Sequence, residues 1–542
     1  MDIIKPRDQV IREVTAEYLD SLDVTNLPSP AEMAAQLFSL SAERLRNLNT
    51  TVPKGMTYPL PRGLTNYQVA ALVIKTHNVV LVQCTDKNND ADLCPIAIYQ
   101  PSGRNAGLYS TLDSDVNRPI MELCPGVSEK DIREIKMIVR NTAPVVQRTS
   151  DRDLVPVENG IYDYRNQVLL PFSPAYVFLA KIGVPYNPMA QNVHIHNPDD
   201  GTNWDIESWM AELFDDQELV NLLWCIVGAV VRSNVGWGRA AWFYSASGNS
   251  GKGTILALLR ALVGKENCAS IRMADMDDKF ALEPIMHSVC VLCDENNVGA
   301  YVDRSSNMKA IITGDSISIS RKYRDAVEFQ FRGFMVQCVN DLPRVRDRTD
   351  SFLRRCLILE FDKCFTGRER KYIKEDYLTR PEVLEYVLYR VLTLMPQYYE
   401  LPVPEACKIA AEEFCQANNP VKEFAEEMLP QIQSEVVSFS SLYELYKNWL
   451  KYANPSSTTM GRNTFILELT RQVVKPPLCD EWDYPGQDKH KKHIRITVGS
   501  RKIYSEPLFD EYGICQPPTY QPSDRVAGLA RIKPMAQHNN VN

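Results

Sequence analysis

The stretch "AAWFYSASGNSGKGTILALLRALVG", residues 240–264, restricts the possible folds of this chain more than any other. It begins with an apolar and aromatic run typical of a buried strand. It continues through a glycine-rich turn and ends in an apolar helical pattern that Gly264 can cap. A strand, a tight glycine turn and a helix in this order are the context that a phosphate-binding loop requires. The chain therefore predicts an α/β core with a nucleotide site.

The residues of the turn suit the phosphates of ATP. Glycines let backbone N–H groups surround phosphate oxygens, the helix N-terminus adds partial positive charge, and the lysine reaches the terminal phosphates. The sequence departs from the usual motif at two positions. Ala246 stands in place of the first glycine, and Gly253 stands in place of Ser or Thr. Because Gly253 has no hydroxyl, Thr254 would supply the hydroxyl that faces Mg²⁺. The alternative is a turn that only leads into a core helix. The predicted nucleotide-binding residues are Gly248, Asn249, Ser250, Gly251, Lys252, Gly253 and Thr254.

Acidic and amide side chains come after two further strand-like runs. "HSVCVLCDENN" (287–297) ends its apolar run with Asp294 and Glu295, and "GFMVQCVND" (333–341) ends with Asn340. Ligands bind beyond the carboxyl ends of the strands in open α/β sheets. Asp294 would hold Mg²⁺ through its water shell, and Glu295 would polarise the attacking water. Asn340 would orient that water and sense the γ-phosphate, although an acidic pair alone is also compatible with ordinary surface.

Two arginines precede the next core strand. In "LPRVRDRTDSFLRRCLILEF" (342–361), Arg354 and Arg355 come directly before the apolar run. An arginine that stabilises a transferring phosphate is often supplied by a neighbouring subunit. This interpretation requires an oligomer, and the alternative is a pair of surface arginines.

A basic turn lies between the acidic pair and the asparagine. In "GDSISISRKYRDAVEFQFRG" (314–333), apolar residues alternate on both sides of the turn, which predicts two antiparallel strands. A basic tip with an aromatic residue suits a nucleic-acid backbone, and the alternative is an ordinary solvated turn. The predicted contacts are Arg321, Lys322, Tyr323 and Arg324.

A second basic region lies near the C-terminus. Residues 451–505 carry ten Lys and Arg against five Asp and Glu, whereas the whole chain has a formal charge of −8. Arg462 begins a possible recognition helix, and 488–502, with Lys491 and Lys492, would form a wing that contacts phosphates. The alternative is a solvated hairpin.

Length and composition limit the number of domains and the classes of protein to which the chain can belong. The 542 residues are enough for roughly three or four domains. Fourteen scattered cysteines, of which Cys290 and Cys293 lie in an apolar run, predict buried thiols in a reducing cytosol rather than zinc or disulfides. The apolar stretch 219–231 is shorter than the about 20 residues of a membrane span, so we expect a buried helix and a cytoplasmic protein without a membrane partner.

The ordered motifs resemble the superfamily 3 helicases, and more specifically the poxvirus- and phage-type primase-helicases. The order is phosphate loop, Asp-Glu, basic hairpin, asparagine and arginine, preceded by "ENGIYDY" (158–164) and followed by "NPVKEF" (419–424), "SLYELYKNW" (441–449) and "RNTFILELT" (462–470). The resemblance covers residues 65–505. It implies an AAA+-related ATPase that forms a hexameric ring on DNA, with Lys322 lining the channel and Arg355, or its rival Arg354, acting as arginine finger.

The resemblance also implies a domain plan within an α/β fold class that has an AAA+-like P-loop core. Too little chain precedes residue 65 for a primase domain, so a separate primase or polymerase is the expected partner. The predicted parts are a helical extension (1–62), a pre-motor α/β domain (63–200), the motor with a preceding helical collar (201–375), a helical and winged-helix-like domain (376–515) and a flexible tail (516–542).

Three functions remain open. The first is an ATP-driven DNA helicase or replication initiator. The second is a small-molecule kinase, because "GKGT" also occurs in nucleotide kinases, although their chemistry needs neither the Asp-Glu pair nor a basic hairpin. The third is an ATP-gated DNA-binding scaffold that assembles without processive unwinding, which the sequence hardly separates from the first.

Overall fold

The computed structural model describes a mixed α/β protein in two compact units, Met1–Ala411 and Glu412–Asn542. The described residues are 5–23, 26–53, 55–86, 91–296, 301–302, 305–322, 324–345, 352, 354–417, 419–453, 459–490 and 492–532. Tyr323 and Lys491, both predicted to contact DNA, lie outside them.

The first unit begins with helices that pack beside a four-stranded sheet of order β3-β2-β1-β4. Its elements are α1 (Arg7–Ser21), α2 (Pro30–Asn49), α3 (Asn66–His77), β1 (Val79–Gln83), β2 (Ile96–Tyr99), β3 (Tyr109–Ser110), α4 (Asp113–Leu123), α5 (Glu129–Thr142) and β4 (Val145–Gln147). Ser29 and Thr65 start α2 and α3 in capping boxes, each completed by an acidic or amide side chain three residues later.

The predicted boundary at residue 62 does not separate two cores. Tyr18 of α1 and Leu37 of α2 are buried in the same cluster as Leu72 and Leu81. The predicted helical extension is helical, but it is not independent, because the apolar faces of α1 and α2 have their partners on α3 and β1.

Next come two small sheets and the collar helices. The elements are β5 (Leu154–Val157), β6 (Gly160–Asp163), β7 (Val168–Leu170), β8 (Ile195–His196), β9 (Asn203–Trp204), α6 (Ile206–Glu212) and α7 (Gln217–Val231). The segment "ENGIYDY" (158–164) contributes β6, which forms an antiparallel hairpin with β7. The apolar stretch 219–231 forms the buried helix α7, as predicted. In the described part of the chain, no helix is both long and apolar enough to span a membrane.

A five-stranded parallel sheet of order β11-β12-β16-β10-β18 forms the centre of the first unit. Because every strand is parallel, the carboxyl ends of all five strands lie at one edge of the sheet.

The predicted basic hairpin is present as β14 and β15, which pair antiparallel. The elements of this region are β10 (Ala240–Tyr244), α8 (Lys252–Val263), β11 (Cys268–Ala269), β12 (Cys290–Cys293), β13 (Tyr301–Val302), α9 (Ser306–Thr313), β14 (Ser316–Arg321), β15 (Arg324–Gln330), β16 (Phe334–Val339), β17 (Arg344–Val345) and β18 (Cys356–Glu360).

The chain after the sheet packs back onto the same core. It forms α10 (Lys371–Glu375), α11 (Pro381–Tyr389), a π-helical turn Arg390–Leu394 and α12 (Glu405–Ala417). Ile373, Val387 and Leu392 are buried with the apolar face of α8. The predicted boundary at 375/376 is therefore wrong, and the division lies at 411/412.

The second unit has its own core of helices and short strands. Its elements are α13 (Pro420–Met428), β19 (Val436–Ser438), α14 (Phe439–Ala453), α15 (Arg462–Val473), β20 (Trp482–Asp483), β21 (Ile496–Thr497), α16 (Pro507–Glu511), β22 (Arg525–Val526) and β23 (Gly528–Arg531). Phe424, Tyr446, Trp449 and Phe465 form an aromatic cluster where α13, α14 and α15 meet.

The predicted flexible tail is wrong for residues 525–531. Strand β23 lies between β19 and β20, with Leu529 fully buried, and β22 pairs with β21. The predicted wing, 488–502, is also smaller than expected: a single antiparallel bridge, Gln487 with His493, precedes β21. The partner of β21 comes from the predicted tail because Val526 there is buried in one cluster with Ile496 of β21.

A buried arginine holds the pre-motor hairpin against the collar. Arg232, 1% exposed, lies over the ring of Tyr164, 3.6 Å from guanidinium carbon to ring centroid, and donates from Nη1 to the carbonyl oxygen of Tyr398 at 2.8 Å. The rings of Trp237 and Tyr399 also face it. Burial lowers the pKa of this guanidinium, and the ring faces compensate for part of its lost hydration.

Replacing Arg232 with alanine is expected to destabilise the first unit by about 2–5 kcal/mol, because the change leaves a cavity among aromatic rings and an unpaired carbonyl. Urea unfolding followed by tryptophan fluorescence would show this loss of stability as a lower urea concentration at the midpoint of unfolding. Arg133→Ala, on the exposed face of α5, is the matched control and should shift the midpoint little. Equal midpoints for both variants would contradict a stabilising role for Arg232.

Candidate functional site: a cavity at the carboxyl edge of the central sheet

The loop between β10 and α8 curls back over the carboxyl edge of the sheet. Asn249 and Gly251 have left-handed backbones, with φ of 57° and 93°, and glycine is the residue that adopts the second at no steric cost. Lys252 begins α8, and its side chain is mostly buried, with Nζ 3.3 Å from Ser250 Oγ. The N-terminus of α8 therefore faces the space beyond the sheet.

A cavity of about 440 Å³ lies at this edge and brings together most of the predicted site. The predicted residues that line it are Gly248, Asn249, Ser250, Gly251, Lys252, Gly253, Thr254, Asp294, Glu295 and Asn340. They meet because β10, β12 and β16 are parallel neighbours or next neighbours, so that the chain leaves all three strands on the same side of the sheet.

Asp294 and Glu295 differ in their surroundings. Asp294 Oδ2 lies 3.7 Å from Nη1 of Arg260, which projects from α8 and also donates to the carbonyl oxygen of Leu292. Glu295 is exposed to the cavity. Arg260 thus steadies one carboxylate beside the loop and leaves the other able to face a ligand. Arg260 was not predicted from the sequence.

Two amide side chains tie the ends of β12 and β16 together. Asn296 Nδ2 donates to Gln337 Oε1 and to the carbonyl oxygen of Cys338, both at 3.0 Å, while its Oδ1 accepts from the N–H of Met273. Gln337 is fully buried and donates to the carbonyl oxygen of Ile271 at 3.2 Å. This network fixes the spacing between the Asp294–Glu295 pair and Asn340. The sequence signal was a lone glutamine inside the apolar run "FMVQCV".

Burial shifts the pKa values of the lysine and the cysteines behind the loop. It lowers the pKa of Lys252, an effect that Cys338 and Asp294 oppose. Burial also raises the pKa of the Cys338 thiol to about 12, so this group stays neutral. Cys290 and Cys293, the predicted buried thiols, are indeed buried in β12, and burial raises the pKa of both.

The far wall of the cavity comes from residues 362–374, here called the rim segment, which the sequence did not predict. The loop holds it: Asn249 Nδ2 donates to Thr366 Oγ1 at 3.1 Å and to Glu369 Oε1 at 3.3 Å, and Phe365 N–H donates to the Asn249 carbonyl oxygen. Its lining side chains are Phe365, Arg368, Glu369, Arg370, Lys371, Ile373 and Lys374.

The cavity has an apolar end and a polar end. Trp209 and Leu213 of the collar line it together with Phe365 and Ile373, which gives an aromatic and aliphatic surface suited to a flat ring. The carboxylate of Asp294 and the hydroxyl of Thr254 supply oxygen ligands of the kind that Mg²⁺ takes. Among the described residues, no three His, Cys, Asp or Glu side chains converge as a metal cage.

Arg354 and Arg355 do not line this cavity. They precede β18, whose first residue pairs with the first residue of β10, and the Arg355 carbonyl oxygen accepts from Ala240 N–H at 2.8 Å. The arginines therefore stand at the amino edge of the sheet, the length of β10 away from the loop. Arg354 is exposed and Arg355 half-buried.

The predicted hairpin is also separate from the cavity. Lys322 is exposed at the tip and Arg321 is half-buried, while Arg324 is paired with Arg321 in the strand register. The base of the hairpin contacts the N-terminal sheet: Gln330 N–H donates to the Cys84 carbonyl oxygen at 3.0 Å.

The C-terminal candidates lie in the second unit. Arg462 is the first residue of α15, as predicted, and its guanidinium donates to Ser440 Oγ of α14 at 2.7 Å. Lys492 is exposed, with its N–H bonded to Asp488 Oδ1. The residues expected to bind DNA are therefore distributed over both units.

Three family models match successive parts of the chain. "D5 N terminal like" matches residues 128–215, "Family of unknown function (DUF5906)" matches residues 243–355, and "Poxvirus D5 protein-like" matches residues 416–492. Over these segments the chain is similar to D5-like proteins. This confirms the resemblance to the poxvirus- and phage-type primase-helicases. The DUF5906 match spans the end of β10, the loop, the acidic pair and Asn340, whereas the rim segment lies outside it.

Solved structures of the NrS-1 C-terminal region are also similar. An A-form apo structure has 16% identity, covering 76% of this chain and 85% of that chain, with a TM-score of 0.41. Another apo structure has 15% identity, covering 78% and 96%, with a TM-score of 0.40. TM-scores of this size do not establish a common fold.

Proposed function

We propose that this protein is an ATP-driven DNA helicase or replication initiator that works as a hexameric ring. The similarity of this chain to D5-like primase-helicases suggests a replication-related NTPase. The observation that carries the proposal is the cavity in which Lys252, the Asp294–Glu295 pair and Asn340 meet at one sheet edge. A kinase for small molecules would need no such acidic pair beside an asparagine. The order of the five parallel strands, β11-β12-β16-β10-β18, supports the assignment of an AAA+-like P-loop core.

Each residue has a chemical role in the proposed hydrolysis. The loop N–H groups and Lys252 bind the phosphates, and the apolar end takes the base. Asp294 and Thr254 would hold Mg²⁺, which would neutralise phosphate charge when bound. Glu295 accepts a proton from the attacking water, and Asn340 orients that water.

The proposal needs a second subunit. Arg355, or its neighbour Arg354, stands at the edge opposite the loop, where a subunit of a ring would present it to the next subunit's cavity. The hairpin tip with Lys322 would contact single-stranded DNA in the channel, and the second unit would contact origin duplex through Arg462 and Lys492. A separate primase or polymerase would act with the ring in the cytosol.

The deciding experiment is steady-state ATP hydrolysis with and without single-stranded DNA, with Lys252→Ala as the blank. Strong stimulation by DNA supports a motor. Hydrolysis that is indifferent to DNA would favour an ATP-gated scaffold instead. Absence of both hydrolysis and ATP binding would overturn the proposal.

Gln337→Leu is expected to lower ATP hydrolysis by about 10- to 100-fold while ATP binding persists. The change removes the amide that positions Asn296, so the acidic pair moves relative to Asn340, and small misplacements are costly for catalysis. Gln472→Leu, a buried glutamine on α15, is the matched control. Wild-type turnover in Gln337→Leu would show that the network does not position the site.

A further inference from the structure

The rim segment carries five cations, of which Lys363 and Arg370 form ion pairs with carboxylates of the collar region. Arg370 pairs with Glu212 of α6. Arg368, Lys371 and Lys374 are exposed and line the cavity, and none of them forms an ion pair among the described residues. Solvated lysines on a surface are ordinary, but these surround a space whose other wall is a phosphate-binding loop. Their charge makes the cavity attractive to a polyanion.

Lys374 lies beside Gly253 of the loop. A β-carbon placed on Gly253 would lie 3.4 Å from Asp294 Oδ1 and 3.7 Å from Lys374 Nζ, which are ordinary contact distances. Gly253 occupies the position at which this kind of loop usually carries Ser or Thr. The ammonium of Lys374 and the carboxylate of Asp294 therefore border the space that the missing side chain would fill.

From this geometry we propose that Lys374 is a second phosphate-binding cation of the cavity and offsets the hydroxyl missing at Gly253. The inference rests on the proposed function, which supplies the nucleotide. A hydroxyl at this position helps to hold Mg²⁺ against the phosphates. In this chain the hydroxyl comes from Thr254, one residue later, and a fixed positive charge lies beside Gly253, so Lys374 shares with Mg²⁺ the neutralisation of the terminal phosphates, with Lys252 as the first cation.

The test is a binding titration of the full chain with the β,γ-imido analogue of ATP, and separately with ADP, over a range of Mg²⁺ concentrations. Lys374→Ala is expected to weaken binding of the triphosphate about 10- to 100-fold, to weaken ADP less, and to raise the Mg²⁺ concentration needed for half-maximal binding. Lys374→Arg should retain most of the affinity, because it keeps the charge.

A second variant tests the link to Gly253. The space at this position accepts a β-carbon without a clash, so Gly253→Ser is compatible with the fold. In the Lys374→Ala background it should restore part of the Mg²⁺-dependent affinity by supplying the hydroxyl. Lys265→Ala, an exposed lysine after α8 that does not line the cavity, controls for a general loss of charge. Equal melting temperatures would show that each variant is folded.

The outcomes separate the two proposals. If Lys374→Ala bound the triphosphate as wild type does, with an unchanged Mg²⁺ requirement, while Lys252→Ala lost binding, the assignment of Lys374 would be wrong and the nucleotide site would stand. If affinity fell but the added Gly253→Ser change restored none of it, the compensation would be wrong. If wild-type protein bound no nucleotide, both proposals would be overturned.

Discussion

Replacement of Glu295 by glutamine should lower ATP hydrolysis by about 10²–10⁴-fold and leave ATP binding nearly unchanged. Glutamine keeps the shape and a hydrogen-bonding oxygen but cannot accept a proton from water, and general-base catalysis contributes an acceleration of this size. Glu295 is the exposed member of the pair, whereas Asp294 is held beside Arg260. Single-turnover hydrolysis and a binding titration on the same preparation separate the two effects.

The control for this variant is Glu369→Gln. Glu369 also lines the cavity, but its carboxylate accepts hydrogen bonds from Asn249 and from Gly367 N–H, so it belongs to the wall. We expect a much smaller fall in turnover for this change. If Glu295→Gln turned over ATP at the wild-type rate, Glu295 would not be the base. If Glu369→Gln instead lost turnover, the base would lie in the rim segment.

Replacement of Arg355 by alanine should lower hydrolysis in the assembled ring by about 10³–10⁵-fold, the range over which an arginine finger acts. ATP binding should persist, because Arg355 stands at the sheet edge opposite the cavity of its own chain. Hydrolysis measured across the concentration range of assembly, beside a binding titration, shows whether the loss depends on neighbours.

Mixing tests the shared site directly. Arg355→Ala subunits keep Lys252, and Lys252→Ala subunits keep Arg355, so a mixed ring contains some sites with both groups. Hydrolysis by the mixture above that of either variant supports a site between subunits. No recovery at any ratio would contradict it. Arg354→Ala, treated in the same way, distinguishes the finger from its exposed neighbour.

The central sheet and its edge could be predicted from the sequence, because the signals are local. A strand, a glycine turn and a helix succeed one another between residues 240 and 264, and polar residues end the apolar runs at Asp294 and Asn340. Parallel pairing then brings these ends together without any further information. The phosphate loop, the acidic pair and the asparagine accordingly line one cavity.

The features that the sequence did not predict depend on distant partners. The rim segment is a charged run that has the composition of a solvated surface, and its place in the cavity depends on hydrogen bonds to Asn249, more than a hundred residues earlier. The pairing of Asn296 with Gln337 joins two strands. The boundary at 375/376 failed because α10 and α11 bury apolar faces on α8, which no local pattern reveals.

Strand β23 also affects how the protein is made. It lies between β19 and β20, and Ala530 pairs with Val436 across a long loop. During synthesis, β19 leaves the ribosome well before its partner exists, and closing so long a loop slows pairing further. The first unit can fold while translation continues. The sheet of the second unit cannot be completed until β23 has been synthesised, and until then the edges of β19 and β20 that β23 will pair with stay open. Early termination before residue 528 would leave those edges available for aggregation.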